Sequence, residues 1–391
     1  MEPIEFIAPW YYSTAYHFLF LFLCWFTVIY YIGSNGQKML RSEGSPSQEL
    51  AVVLFVLMSF FLGLRELHPD FGDTLSYSRI YNNLSKYESF NFKTEWLWIN
   101  IQYFLKSVLG LNIHEVFVFV DLIYFGGMLI CCVLLTRKNL WMSMLFFFIA
   151  FQTFSYGVNG IRNGFACSII LVVIAMMSER KGHLSIWLIL MLTALFVHRS
   201  TMLPSVSALA AFYLIKDTKT GLRFWYASIA ISLVAGPVVE QFFGSLGFDD
   251  RMSSYSEGKD VEYYQTVFSH TGFRWDFLLY SSFPVLMVWY VSRYRHFTNT
   301  SYSLIANTYL FCNAFWIMVI RASFSNRFAY LSWFLYPVVM FYPLLRMNLW
   351  KDQDRKTAII FFFYSGFTFF MFFIYYFGTS GFRGFDQYWW R

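Results

Sequence analysis

The chemistry-bearing residue that stands out in this sequence is an arginine at the head of an apolar run. Arg162 lies in the stretch "VNGIRNGFACSIILVVIAM", with Gly160 before it and Gly164 after it. A guanidinium group in the hydrocarbon of a membrane is costly, so it needs a surface or an anion. A helix N-terminus favours an anion through its dipole and free N–H groups, and glycines allow close backbone approach. The pattern therefore predicts an anion site at the start of this run.

Further arginines stand at the ends of other apolar segments. They are Arg65, Arg199, Arg321 and Arg327. Because arginine offers a planar fork of donors that matches phosphoryl oxygens, the five arginines together predict a site for a phosphate or diphosphate. The simpler alternative is that each side chain snorkels to lipid phosphates on its own.

Two residues are candidates for a general base. His198 lies in "LFVHRSTMLP", and Asp73 lies in "GLRELHPDFGDTLSYSRIYNN". We expect His198 to act ahead of Asp73, since Asp73 could equally be the N-cap of a following helix. The spacing of His68, Asp70 and Asp73 matches no strong metal motif, so neither a metal nor another cofactor is predicted.

The composition shows what kind of elements must hold these residues. Of the 391 residues, 58% are hydrophobic, 23% are aromatic and only 13% are charged, whereas a soluble protein is about a quarter charged. One water-soluble core of this size cannot cover 49 phenylalanines. Lipid can, and helices satisfy their own backbone groups there. We therefore predict an all-α, polytopic integral membrane protein with one transmembrane domain over residues 1–391.

Hydropathy predicts about twelve transmembrane helices, several of them shorter than the roughly 20 residues that a bilayer needs. They cover 16–33, 49–64, 115–136, 139–154, 161–178, 184–197, 201–215, 224–242, 275–292, 302–320, 328–345 and 357–377. Segment 94–110, which is rich in aromatic residues, is predicted to be an interfacial helix. The remaining long segments, 65–94 and 243–273, are predicted to be loops.

The positions of lysine and arginine predict the orientation, because short cytoplasmic loops are enriched in both. With twelve spans, one side receives the basic pairs and clusters near residues 38–41, 137–138, 180–181, 216–223, 293–295 and 346–356. That side is the cytoplasm, so the net charge of +6 does not indicate nucleic-acid binding. Both termini, both long loops and the five arginines then face outward.

Several of these stretches together resemble the EpsG branch of the Wzy-type polysaccharide polymerases. That family has an arginine at the end of an early span, then a Gly-Asp/Thr-x-x-x-Tyr stretch, which corresponds to Arg65 and residues 72–77. An acidic residue often opens the next segment, and Glu95 matches it. The family's "N-x-I-R-Q-x-x-A" matches residues 159–166, with Asn163 in place of glutamine.

Two later motifs complete the resemblance. The family's "F-H-x-S-A" is similar to "LFVHRSTMLP", from which it departs at Arg199 and Thr201. A late "R-x-x-Y" is similar to Arg327 and Tyr330. The order and approximate spacing of the motifs agree over about residues 60–345.

The resemblance implies a bacterial inner-membrane glycosyltransferase with an O-antigen polymerase/ligase-like helical bundle and a periplasmic site. Its substrate would be an undecaprenyl-diphosphate-linked oligosaccharide, and its product O-antigen, capsule or another exopolysaccharide. The growing glycan would pass to the incoming repeat unit with release of undecaprenyl diphosphate. A chain-length regulator protein and the lipid bilayer are the other expected partners. Arginines could neutralise the leaving group, and a base could activate the acceptor hydroxyl.

Three other functions are compatible with parts of the sequence. A metal-dependent glycosyltransferase could use a polyprenyl-monophosphate sugar, with Asp73 or Glu66 as base. A flippase for lipid-linked oligosaccharides would need charged residues at mid-membrane and inverted repeats, and the sequence shows neither clearly. A membrane acyltransferase built around His198 would need further polar residues on the neighbouring helix.

Overall fold

The computed structural model of the chain describes residues 1–5, 7–33, 47–84, 95–245, 273–321 and 325–376. Every regular element within these ranges is helical, which confirms the predicted all-α class. Most of the predicted outer loop 243–273 lies outside the described residues, and so do residues 85–94 of the predicted outer loop 65–94.

We number the α-helices of the described ranges in chain order. They are α1 (Pro9–Gly33), α2 (Ser47–Gly63), α3 (Thr74–Asn83), α4 (Trp96–Ser107), α5 (Ile113–Thr136), α6 (Leu140–Phe148), α7 (Phe151–Val158), α8 (Ile161–Ser178), α9 (Leu184–Val197), α10 (Met202–Tyr213), α11 (Thr218–Ser245), α12 (Trp275–Trp289), α13 (Thr300–Met318), α14 (Ser325–Trp333), α15 (Tyr336–Arg346) and α16 (Gln353–Tyr376). Short 3-10 turns precede α3, α6 and α10, and a π-helical turn follows α12.

Helical stretches long and apolar enough to cross a membrane are found, as expected for a membrane protein. Within the described residues there are five, at Pro9–Ile32, Ile113–Phe148, Ile161–Ser178, Arg327–Arg346 and Gln353–Ile374. The apolar helices Gln48–Gly63 and Leu184–Val197 are shorter. These helices support the membrane class, whereas the predicted count of about twelve spans is not confirmed.

Breaks in the helical backbone explain part of the difference between the twelve predicted spans and the five stretches of the described residues that are long enough to cross a membrane. The predicted span 139–154 is divided into α6 and α7, because Ala150 between them is extended at φ −63° and ψ 139°. The predicted span 224–242 lies within α11, where Ala235 is non-helical at φ −126° and ψ 17°. The predicted span 201–215 corresponds to α10, a helix of 12 residues. The segment predicted as interfacial, 94–110, forms α4.

The chain forms two compact units, the first of which comprises Met1–His198 and Leu344–Arg391. In this unit α5 packs against α2 and α8, α8 packs against α9, and α1 packs against α16. The backbones of α5 and α8 approach closely: a Cβ atom added at Gly127 would lie 2.6 Å from Cβ of Ser168. Small residues at such crossings are typical of helix packing in membranes.

Lys106, whose charge is unusual in an apolar helix, joins α4 to α3. Its ammonium group donates hydrogen bonds to the carbonyls of Tyr81, Asn82 and Leu84, at 2.8, 2.7 and 2.8 Å. These carbonyls close the C-terminus of α3, where a cation is favoured by the helix dipole. Lys106 therefore caps α3 and helps to hold it in place.

The second unit, Arg199–Pro343, is organised around α13, which packs against α10, α11 and α14. A buried hydrogen-bond network runs through it. Asn313 accepts a hydrogen bond from Trp225 at 2.7 Å and donates to the hydroxyls of Ser281 and Ser332 at 3.1 and 2.9 Å. Because these residues lie on α11, α12, α13 and α14, one amide links four helices through bonds that lipid cannot replace.

Candidate functional site

The turn ahead of α3 docks onto the junction between α7 and α8. The hydroxyl of Thr74 donates to the carbonyl of Val158 at 2.9 Å, and the backbone N–H of Asp73 donates to Oδ1 of Asn159 at 2.9 Å. Gly72 adopts φ +61°, and a Cβ atom there would lie 2.5 Å from Oδ1 of Asn159. Only glycine suits both the conformation and the space. Two segments that carry the family resemblance thus contact each other directly.

Arg65 reinforces the same junction from inside the first unit. Its guanidinium donates to the carbonyls of Leu62 at 2.7 Å and Val158 at 3.0 Å, and to the hydroxyl of Thr74 at 3.3 Å. The side chain is 0% exposed. Since these donors serve the protein itself, the geometry favours a structural role for Arg65. Its predicted part in binding a diphosphate at the outer surface stays a prediction.

The charge of Arg65 is matched by a buried acid. Its Nη1 atom lies 3.9 Å from Oδ2 of Asp121, whose side chain is 1% exposed. The guanidinium also lies over the ring of Phe117, at 4.2 Å from the ring centre. Neither carboxylate oxygen of Asp121 has a hydrogen-bond partner in the described residues, so Arg65 is its principal electrostatic counterpart there. A buried charge left without its partner is strongly destabilising.

Arg162, Glu95 and His198 form a group that we call the Glu95 cluster. Nη1 of Arg162 donates to Oε2 of Glu95 at 2.6 Å, and Nδ1 of His198 lies 2.9 Å from Oε1 of the same carboxylate. The side chains of Arg162, Glu95 and His198 are 28%, 19% and 22% exposed. The carboxylate therefore bridges a guanidinium and an imidazole in a half-buried position that solvent still reaches.

The ends of three helices bring the Glu95 cluster together. Glu95 directly precedes α4, Arg162 is the second residue of α8, and His198 directly follows α9, where its N–H bonds to the carbonyl of Ala194. Helix α9 packs against both α4 and α8. Glu95 has a left-handed backbone, φ 56° and ψ 32°, which is uncommon for a residue other than glycine. Such strain is often found at functional sites.

An aromatic side chain supports the guanidinium of Arg162. The ring centre of Tyr77, in the first turn of α3, lies 5.9 Å from its central carbon, within cation–π range. Nε of Arg162 is buried and has no hydrogen-bond partner among the described residues. Buried donors are normally satisfied, so this guanidinium has binding capacity that the described protein groups do not use.

Asp73, the second candidate base, occupies the N-cap position of α3. Its side chain accepts no capping hydrogen bond, and it is half-buried. The alternative interpretation of Asp73 as a side-chain N-cap is therefore not supported by a bond. Its role as a base stays a prediction.

Arg199, Arg321 and Arg327 belong to the second unit. Arg199 opens the 3-10 turn Arg199–Thr201. Arg321 lies 5.7 Å from the ring centre of Phe273, measured from its guanidinium carbon, and Arg327 lies within α14. Their convergence with Arg162 on one diphosphate stays a prediction.

Glu95 is the residue that sequence reasoning undervalued. The resemblance named it, but no role was assigned to it. The available signal was an acid standing directly before the aromatic segment "WLWINIQYF". As for metals, no group of three or more His, Cys, Asp or Glu side chains in the described ranges is placed to hold an ion. The functional groups of the Glu95 cluster are a carboxylate, a guanidinium and an imidazole.

These features define a helical membrane protein with a half-buried cluster of ionisable groups at its helix ends. Residues 50–388 match the EpsG family, so the chain belongs to this family. It is a family of Wzy-type polysaccharide-polymerase-like proteins. The resemblance inferred from the motifs is thereby confirmed. No curated protein and no solved structure matches the chain.

The structural role of Arg65 predicts a coupled effect on stability. Replacing Arg65 by methionine should lower the free energy of unfolding by about 3–5 kcal/mol, because Asp121 is left buried without its counterpart. The double variant Arg65→Met/Asp121→Asn should recover part of this loss. Thermal unfolding of the detergent-solubilised protein measures both. Purely additive effects of the two substitutions would show that the pair does not interact.

Proposed function

We propose that this protein polymerises undecaprenyl-diphosphate-linked oligosaccharide repeat units at the outer face of the bacterial inner membrane. O-antigen, capsule or another exopolysaccharide would be the product. Membership of the EpsG family supports the polysaccharide-polymerase role, and the long apolar helices support the membrane location. The observation that carries the assignment of the site is the carboxylate of Glu95 between Arg162 and His198.

The reaction would be a glycosyl transfer with release of the lipid carrier. A hydroxyl of the incoming repeat unit attacks the anomeric carbon of the growing glycan, and a new C–O bond forms. The bond from that carbon to the diphosphate breaks, and its electron pair leaves with undecaprenyl diphosphate. The proton of the attacking hydroxyl passes to the base. Negative charge therefore develops on the diphosphate, where preorganised donors lower the barrier.

His198 is proposed as the base. Glu95 contacts its Nδ1 atom at 2.9 Å, so proton transfer from the substrate would occur at Nε2. A carboxylate on one ring nitrogen orients an imidazole and stabilises the imidazolium that forms when the other nitrogen takes a proton. Asp73, in the turn that docks beside α8, is the second candidate for this role.

Arg162 is proposed to bind the diphosphate. One of its nitrogens is engaged by Glu95, while Nε is without a partner in the described residues. Its place in the first turn of α8 adds the favourable field of a helix N-terminus. The Glu95 cluster would thus hold the leaving group and the base next to each other. Arg199, Arg321 and Arg327 are proposed as further ligands, and a chain-length regulator protein as a partner.

The proposed topology has about twelve spans with the Glu95 cluster and both termini outward, and it can be tested by labelling. The five native cysteines are buried, so background reaction is expected to be low. Ser76 and Lys181 are both exposed. Cysteine introduced at position 76 should react with a membrane-impermeant thiol reagent in intact spheroplasts. Cysteine at position 181 should react only after the membrane is opened. The opposite pattern would invert the topology.

Substitution of Arg162 should stop polymerisation. In a deletion strain complemented with Arg162→Ala, long-chain surface glycan should disappear while single lipid-linked repeats remain, because the leaving group is no longer neutralised. Arg162→Lys should rescue little, since an ammonium group lacks the bidentate fork. Gel analysis of the glycan measures both. Arg79→Ala, which removes an exposed arginine from α3, is the matched control. Normal chain length in a correctly inserted Arg162→Ala protein would overturn the proposal.

Substitution of the two candidate bases should separate their roles. We expect His198→Ala to reduce the transfer rate by a factor of about 10² to 10⁴, as the loss of a general base does, and Asp73→Asn to have a smaller effect. Pulse-labelling of the glycan in complemented strains with equal protein levels gives the rates. The reverse order would assign the base to the turn before α3.

A further inference from the structure

The amide of Asn159 connects two elements that surround Arg162. Asn159 follows α7, and its own N–H completes that helix by bonding to the carbonyl of Ser155. Its side chain does not cap the helix. Instead Oδ1 accepts the backbone N–H of Asp73 at 2.9 Å. Asn159 therefore joins the end of α7 to a turn 86 residues away along the chain.

The absence of a side chain at Gly72 leaves room for the amide of Asn159. A Cβ atom at Gly72 would lie 2.5, 2.6 and 2.9 Å from Oδ1, Cγ and Nδ2 of Asn159. The amide thus occupies the volume that any larger side chain at position 72 would need. Thr74, two residues further on, bonds to the carbonyl of Val158. Consecutive residues of the α7–α8 junction are thereby held by the same turn.

The contact between Asn159 and Asp73 is connected to Arg162 along two segments of the chain. Three residues after Asn159 the chain reaches Arg162, in the first turn of α8. On the other side, the carbonyl of Asp73 accepts the N–H of Tyr77 at 2.9 Å in the first turn of α3. The ring of Tyr77 then lies 5.9 Å from the guanidinium carbon of Arg162. The hydrogen bond of Asn159 therefore links the two segments that carry the guanidinium and the ring.

We propose that Asn159 is a positioning residue for the diphosphate site: it holds the first turn of α3 against the start of α8, so that Tyr77 and Arg162 stay in register. This inference rests on the proposed role of Arg162. Asn159 touches neither the carrier nor the sugar, and it acts through the placement of these two side chains. Its removal should weaken carrier binding more than it weakens the fold.

Binding of undecaprenyl diphosphate to the full-length protein in detergent tests this proposal. Asn159→Ala should weaken the affinity for this probe about tenfold, the equivalent of one well-placed hydrogen bond. Asn112→Ala is the matched control, because Oδ1 of Asn112 also accepts a backbone N–H, that of Glu115 at 3.0 Å, at the exposed start of α5. It should change the affinity by less than twofold at a similar loss of melting temperature.

Gly72→Ala tests the same contact from its other side. It should weaken binding, and the double variant Gly72→Ala/Asn159→Ala should lose less affinity than the product of the two single effects, since the added methyl group then meets no amide. Unchanged affinity in Asn159→Ala, or equal losses in Asn159→Ala and Asn112→Ala, would overturn the positioning role. If Arg162→Ala binds the probe as the unmodified protein does, the proposed function fails instead.

Discussion

An ionised side chain in an apolar helical protein needs a partner, and in the first unit this requirement decides where helix ends can lie. Burial removes the water that would otherwise stabilise a charge, so an unpaired charge is expensive. The carboxylate of Glu95 answers the requirement for Arg162 and contacts His198 as well. The starts of α4 and α8 and the end of α9 are therefore drawn to one place. The pairing of Arg162 with Glu95 thus has a structural cause, and it places a carboxylate, a guanidinium and an imidazole side by side.

Arg65 and Arg162, both in the first unit, meet the same demand in different ways. Arg65 is enclosed and uses its donors on backbone carbonyls and on Thr74, with Asp121 nearby. Arg162 keeps part of its side chain exposed and has one donor without a partner in the described residues. Arg65 therefore stabilises the α7–α8 junction, whereas Arg162 is the guanidinium for which we propose a ligand. Two residues of the same type thus have different surroundings in the structure.

The α7–α8 junction is an interruption between two helices, and a similar interruption lies between α6 and α7. Helices α6, α7 and α8 follow one another with interruptions near Ala150 and Gly160. Irregular backbone at membrane depth is tolerated only where protein groups satisfy it. At the second interruption Arg65 and Thr74 bind the carbonyl of Val158. The turn that contains Gly72 and Thr74 therefore helps to satisfy the backbone at the point where α8 begins.

Local sequence predicted some elements to the residue and others poorly. The predicted spans 161–178 and 184–197 coincide with α8 and α9, and 115–136 nearly coincides with α5. Their apolar runs are long, with polar or glycine residues at both ends. The predicted span 139–154 is divided, because hydropathy averages over residues and does not register an extended residue such as Ala150. Hydropathy also missed the kink in α11 at Ala235, although Gly236 and Pro237 follow it directly and such a pair signals a helix break.

The sequence by itself determined the class, the helical content and the family, since composition, apolar run length and motif order are properties of the linear chain. It also marked Arg162 as a candidate for anion binding, with snorkelling to lipid phosphates as the alternative. Only the tertiary structure decided that Arg65 is enclosed beside Asp121, and that Glu95 lies between Arg162 and His198, which are 67 residues and more from it along the chain. The physical reason is that charge pairing acts through space. Helical periodicity describes which residues share a face, but it carries no record of which distant helix end will supply the opposite charge.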